Sequence, residues 1–145
     1  MNATIIRFGY PATLIADYEH WVVLLRPSQP TLGSLILAAK GEAEAFSDLA
    51  PSAFAELGLV IRDIETALAL AVAYEKINYL MLMMVDPNVH FHVIPRYDGD
   101  REAEGLSVRD AGWPKAPALV EAAELNEHQI AALTGWIRKL WPSSR

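Results

Sequence analysis

From Asn88 to Val93 the sequence alternates without a break, Asn-Val-His-Phe-His-Val, and then continues Ile-Pro-Arg. In an extended strand successive side chains point to opposite faces, so Asn88, His90 and His92 share one side and Val89, Phe91 and Val93 the other. The apolar side must be buried, and a cover for it lies upstream. Phe54, Leu57, Ile61, Ile64, Leu68 and Ala71 recur at spacings of three and four, with Glu56, Arg62, Asp63 and Glu65 between them. That is the period of a helix with one apolar stripe. The two patterns together predict a sheet with one long helix packed on it and two imidazoles on its polar face.

The remaining segments fill in this frame. "ATLIADYEHWVVLLR", Ala12 to Arg26, reads as a hairpin with Trp21 to Leu25 as its second arm. "RPSQPTLG" is a loop, and a third strand is expected from about Ser34 to Ala39. Phe46 and Leu49 belong to a short helical piece before Pro51, which suits the first turn of the long helix because its missing N–H costs nothing there. The continuous apolar run Ile77 to Val85 predicts a buried central strand. Beyond Arg96 the chain is rich in glycine, charge and proline and reads as loop. A last helix then carries Ile130, Leu133, Ile137, Leu140 and Trp141 at helical spacing behind Asn126 as N-cap. The expected class is α+β, a mainly antiparallel sheet with one long helix packed on it and a C-terminal helix, in a single domain over residues 1–145.

Bulk properties narrow the partners. The net charge of −6 argues against a surface built for nucleic-acid polymers or anionic membranes, both of which need clustered cations. The chain has no cysteine, which excludes disulfides, thiolate metal sites and cysteine nucleophiles and is compatible with a cytoplasmic location. The first twenty residues lack the basic, apolar and small-residue regions of a secretion signal. The runs "LALAVAY" and "YLMLMMV" are far shorter than the ~18–20 residues of a membrane span.

Three readings of the histidine pair are open at this point. The imidazoles can be solvent-facing or backbone-satisfied strand residues. They can be metal ligands with a carboxylate as third ligand, although Arg96 and Tyr97 occupy the positions expected for that acid, leaving Asp98 or Asp86. Or they can act at phosphorus: a neutral imidazole is a nucleophile near pH 7, and a second one carries a proton or bonds a phosphoryl oxygen.

"NVHFHVIPRY" resembles the signature of the histidine triad superfamily, His-φ-His-φ-His-φ-φ followed by Pro-Arg, with φ apolar. "WVVLLRPSQPTLGSLILAAK" is similar to the strand, Pro-containing loop and Gly-His strand that precede the long helix in that family, so the resemblance covers about residues 12–97. It implies a homodimeric α+β protein that hydrolyses or transfers nucleotides at the α-phosphate of a nucleoside phosphoramidate or dinucleoside polyphosphate. His90 would be the nucleophile that forms a nucleotidyl-histidine, with a backbone carbonyl fixing its tautomer. His92 would contact phosphate oxygen and assist the leaving group or water. No metal is implied, though Mg²⁺ would accompany a polyphosphate substrate.

The chain departs from the pattern at several positions. Asn88 stands at the first triad position, and Gly33-Ser34 replaces Gly-His. Arg26 lies where many members hold the ribose with an acid or amide, and the loop before the triad is short. Asn88, Ser34, Arg96 and Arg26 are the expected phosphate- or substrate-binding residues around His90 and His92. A nucleotide-binding or dimeric interaction module with weak turnover is the alternative. His20 and His128 read as surface residues. Trp113, Trp136 and Trp141 read as packing residues or as cover for the pocket or dimer seam. Met81, Met83 and Met84 are fillers unless one lines the site.

Overall fold

The computed structural model describes residues 1–143. Its centre is a five-stranded antiparallel sheet in the order β1-β2-β4-β6-β5, with β1 Leu14–Asp17, β2 Trp21–Leu25, β4 Leu35–Ala39, β5 Lys76–Leu80 and β6 His90–Arg96. The short β3, Ser28–Gln29, pairs with β9, Ala123–Glu124, while β7, Asp100–Ala103, and β8, Leu106–Arg109, form a hairpin of their own. The α+β class, the long helix and the C-terminal helix are as the sequence predicts.

Residue alternation decides what each face of the sheet meets. Trp21, Val23, Leu25, Leu35, Leu37, Val93 and Tyr97 point into one core with Val60, Ile64 and Leu68 of α2, Pro51–Val72, and Leu133 and Ile137 of α3, Glu127–Leu140. Pro51 opens α2, and Asn126 caps α3 by accepting from the Gln129 amide at 2.8 Å. The opposite face holds a smaller core of Val22, Leu24, Ile36 and Ala38 under Ile5 of α1, Ala3–Arg7. Burying a side chain of this kind is worth about 1.5–3 kcal/mol, so even the smaller core fixes α1 against the sheet.

Several expectations are corrected. The run Ile77–Val85 forms a strand only as far as Leu80, and this strand lies at the sheet edge, half-buried rather than central. Its apolar continuation turns away through Met83, whose φ is +47°, and leaves Met84 and Val85 exposed. Continuous hydrophobicity misleads here because part of the run lines a cleft. The buried stripe of α2 falls on Ala53, Val60, Ile64, Ala67, Leu68 and Val72, leaving Phe54 exposed. The stretch after Arg96 contains the β7–β8 hairpin, closed by Glu104 and Gly105 at positive φ. The helix α1 shows no periodicity in the sequence because it is only five residues long.

Candidate functional site

Residue register places the site on the face that α1 only partly covers. In the β4–β6 pairing Ala38 opposes His90 and Ile36 opposes His92, which puts both imidazoles beside the smaller core. Both residues are buried, and their rings lie 5.1 Å apart between centroids in an edge-on arrangement. Phe8, just past α1, packs over both, at 5.5 Å from the His90 ring and 5.8 Å from that of His92. A cleft of about 220 Å³ opens here, with Phe8, Arg26, Asp86, His90 and His92 among its lining and the 82–85 segment as one wall.

The two rings are held in different tautomers. His90 Nδ1 lies 2.7 Å from the carbonyl oxygen of Asn88. A carbonyl only accepts, so Nδ1 carries the proton and Nε2 keeps the lone pair. His92 Nδ1 accepts from Arg26 Nε at 3.2 Å, which puts the proton of the neutral ring on Nε2. Burial, with the Arg26 guanidinium and His90 as further causes, pushes the His92 pKa down to about 4. With both rings neutral, the cleft therefore holds an acceptor nitrogen on His90 beside a donor N–H on His92.

Arg26 is fixed at the end of β2 by bonds from Nη1 to the backbone oxygen, at 3.0 Å, and the hydroxyl of Ser28. Its burial lowers its pKa against an opposing influence from Glu124. A guanidinium remains charged in any protein, so the cleft contains a permanent cation.

The other three expected binding residues lie elsewhere. Asn88 is buried with its side-chain oxygen accepting from the Thr4 hydroxyl at 3.0 Å, and its amide donates to the Glu42 carbonyl at 3.3 Å. Ser34 is fully buried in the 26–34 loop, where its hydroxyl donates to Thr31 O at 2.8 Å. Gln29 closes the same loop by accepting from the amides of Gly33 and Ser34; Gly33 has φ of +92°, a conformation that favours glycine. Arg96 donates to Asp110 through Nε at 2.8 Å and Nη2 at 3.1 Å, and to Asn78 Oδ1 through Nη1 at 2.9 Å. Sequence reasoning thus brings His90, His92 and Arg26 together and misses Phe8 and the 82–86 wall. Asn2, whose side chain caps α1 by accepting from Ile5 N, was the available signal for Phe8.

Met83 and Met84 line the cleft and Met81 packs against the main core. Trp113 and Trp136 are half-buried, and Trp141 donates to the Tyr18 hydroxyl at 2.9 Å. His128 is exposed, and His20 donates its backbone N–H to Glu56. Among the described residues no group of three or more His, Asp or Glu side chains is placed to hold a metal ion. No helix among them is long and apolar enough to cross a membrane.

No family model and no curated protein matches the chain. Solved structures do. A histidine triad protein from Sinorhizobium meliloti superposes with a TM-score of 0.73 at 21% identity, over 96% of this chain and 94% of that one. One from Bradyrhizobium japonicum gives 0.72 at 19% identity, over 97% and 96%. A hypothetical histidine triad nucleotide-binding protein from Sulfolobus tokodaii gives 0.67 at 20%, over 94% and 88%. The fold is that of the histidine triad proteins.

Proposed function

We propose that the chain is a nucleotide hydrolase or transferase acting at an α-phosphate through a nucleotidyl-His90 intermediate. The observation that carries this reading is the 2.7 Å bond from His90 Nδ1 to the Asn88 carbonyl, which leaves Nε2 unprotonated on the cleft-lining ring. In the first step Nε2 forms a bond to phosphorus while the bond to the leaving group breaks, and that group departs with the electron pair and takes a proton from solvent water. The adduct makes the imidazole cationic, and the Asn88 carbonyl stabilises it through the retained Nδ1–H. In the second step a water oxygen bonds to phosphorus and gives up a proton to solvent, the Nε2–P bond breaks with its electron pair returning to Nε2, and nucleoside monophosphate leaves. His92 Nε2–H donates to a phosphoryl oxygen, and Arg26 supplies the fixed cation that such charge requires. The likeness in fold to a protein described as nucleotide-binding supports the substrate class.

The residues that hold Asn88 and Ser34 away from the cleft favour a second reading, a nucleotide-binding module with weak turnover. Two polar groups that would touch phosphate are spent on the protein itself. Wild type and His90→Ala, assayed side by side for nucleoside monophosphate release from a nucleoside phosphoramidate, separate the two. His90-dependent release at least a thousandfold above the variant is expected. Equal rates would sink the nucleophile assignment, and binding without release would establish the module.

A further inference from the structure

A strongly basic leaving group needs a proton as its bond to phosphorus breaks, and an enzyme supplies it from a side chain within hydrogen-bond reach. The cleft offers few candidates. Among the described residues its lining contains no lysine, tyrosine, serine or threonine, and its one carboxylate, Asp86, is paired with Arg7 Nε at 3.1 Å. Asn88 and Ser34 are turned to Thr4, Glu42 and Thr31. His90 attacks through Nε2, which carries no proton to give. Only His92 is left.

An imidazole acts as an acid from its doubly protonated form, in which both ring nitrogens are donors. Arg26 denies His92 that form. Arg26 Nε–H meets His92 Nδ1 at 3.2 Å, so the nitrogen that would take up the second proton already accepts from a guanidinium. A guanidinium does not give way by losing its own proton. A protonated His92 would set N–H against N–H and cation against cation.

The guanidinium is itself held in place. Nη1 donates to the backbone oxygen and the hydroxyl of Ser28, Gln29 donates to the Arg26 carbonyl at 2.7 Å, and Ser28 pairs with Glu124 of β9. The other neighbours of His92 do not reverse the effect. Burial, Arg26 and His90 all act against a second proton on the ring. Glu124 acts on Arg26 and supports its charge, and Asp86 is engaged by Arg7. From β4, β5 and the end of α1, His92 meets Ile36, Leu80 and Phe8, none of which carries charge.

We infer that Arg26 is a positioning residue that makes His92 a hydrogen-bond donor and bars it from acting as an acid, so that this chain selects esters by the basicity of the departing oxygen. The inference rests on the proposed attack by His90 and deepens it. His90 Nε2 bonds to phosphorus, the phosphorus–oxygen bond breaks, and the oxygen leaves with the electron pair as an anion that takes its proton from solvent water. His92 Nε2–H bonds a phosphoryl oxygen and transfers nothing. Weakly basic groups such as carboxylates and acidic phenols depart readily on these terms, and alkoxides do not. Specificity is then set by a residue that acts through His92 and not through contact with the departing group.

The test uses two esters of one nucleoside 5′-phosphate, 4-nitrophenyl and phenyl, whose leaving groups are close in shape and far apart in basicity. The ratio of their kcat/KM values is measured against pH for wild type, Arg26→Gln and Arg26→Lys. Wild type is expected to favour the nitrophenyl ester strongly. Arg26→Gln should slow the nitrophenyl ester through loss of the fixed cation yet lower the preference at least about tenfold, because an acid, worth about 10²–10⁴-fold, then serves the basic phenolate. Its phenyl-ester profile should gain a limb that rises as pH falls, which a purely structural role would not produce. Arg26→Lys keeps a cationic donor and should keep most of the wild-type preference. An unchanged ratio in Arg26→Gln, or equal cleavage of both esters by wild type, would overturn the inference and leave the His90 reading standing. Should Arg26→Gln cleave neither ester, nitrogen NMR of wild type decides: Nε2–H with a bare Nδ1 on His92 from pH 8 to 5 supports the inference, and a second proton on the ring at pH 6 overturns it. No cleavage of the nitrophenyl ester by wild type would remove the His90 reading and this inference with it.

Discussion

Strand β6 carries polar side chains of two kinds on one face. At its start, His90 and His92 each commit one ring nitrogen to the protein and keep the other for the cleft. At its end, Arg96 commits Nε, Nη1 and Nη2 to Asp110 and Asn78. All three residues are buried, so burial does not separate them. The difference lies in unspent hydrogen-bonding capacity: a buried polar group whose partners are complete holds structure, and one with an atom left over is available to a ligand. Asn88, two residues before His90, belongs with Arg96 by this measure, because its amide is spent on Thr4 and Glu42.

The comparison breaks most sharply at Arg96. Arg96→Ala leaves the Asp110 carboxylate buried without its partner, and breaking a buried pair costs about 3–5 kcal/mol. Urea unfolding should show that loss as a lowered midpoint. The Arg96→Met/Asp110→Leu double variant should recover much of it, because both charges are then gone. A single variant within about 1 kcal/mol of wild type would mean that the arginine is held for a ligand after all.

Asn88→Ala is expected to cost less, about 1–3 kcal/mol, the penalty for leaving the Thr4 hydroxyl and Glu42 carbonyl without their partner. Thr4→Val removes the same contact from the other side, together with the bond that the hydroxyl accepts from the backbone N–H of Asn88 at 3.1 Å. The two substitutions together should therefore cost less than the sum of the singles. Strict additivity would show that the 3.0 Å bond between them contributes nothing.

These two residues also show what was legible beforehand. The alternation around His90 and the stripe on α2 specify the faces of strand and helix, because periodicity is a local property of the sequence. The destination of a polar side chain is not local. Asn88 looks toward phosphate in the sequence and turns to Thr4, 84 residues away. Arg96 meets Asp110 in a segment that reads as loop, and Ser34 is consumed by a loop whose geometry Gln29 and Gly33 impose. Arg26 is the opposite case: its position beside a histidine follows from β2 and β6 flanking β4, which hydrophobic patterning alone does not reveal.

The smallest expected effect concerns the cleft itself. His92 should titrate near pH 4 by NMR, well below its ordinary 6.5, because burial, Arg26 and His90 all disfavour the imidazolium. Arg26→Gln removes the second-largest of the three causes, so the midpoint should rise while remaining below 6.5, burial being the largest cause and unaltered. The sign for stability follows from which state takes up the proton first. The unfolded chain protonates this histidine near 6.5 and the folded one near 4, so the contribution of the neutral ring is full above 6.5 and is lost as pH falls toward 4. The Arg26→Gln protein should lose less over the same interval, because its two values lie closer together. A wild-type midpoint close to 6.5 would place His92 in open water and remove its role as a neutral donor near pH 6. The distinction between the two ends of β6 would then rest on His90 alone.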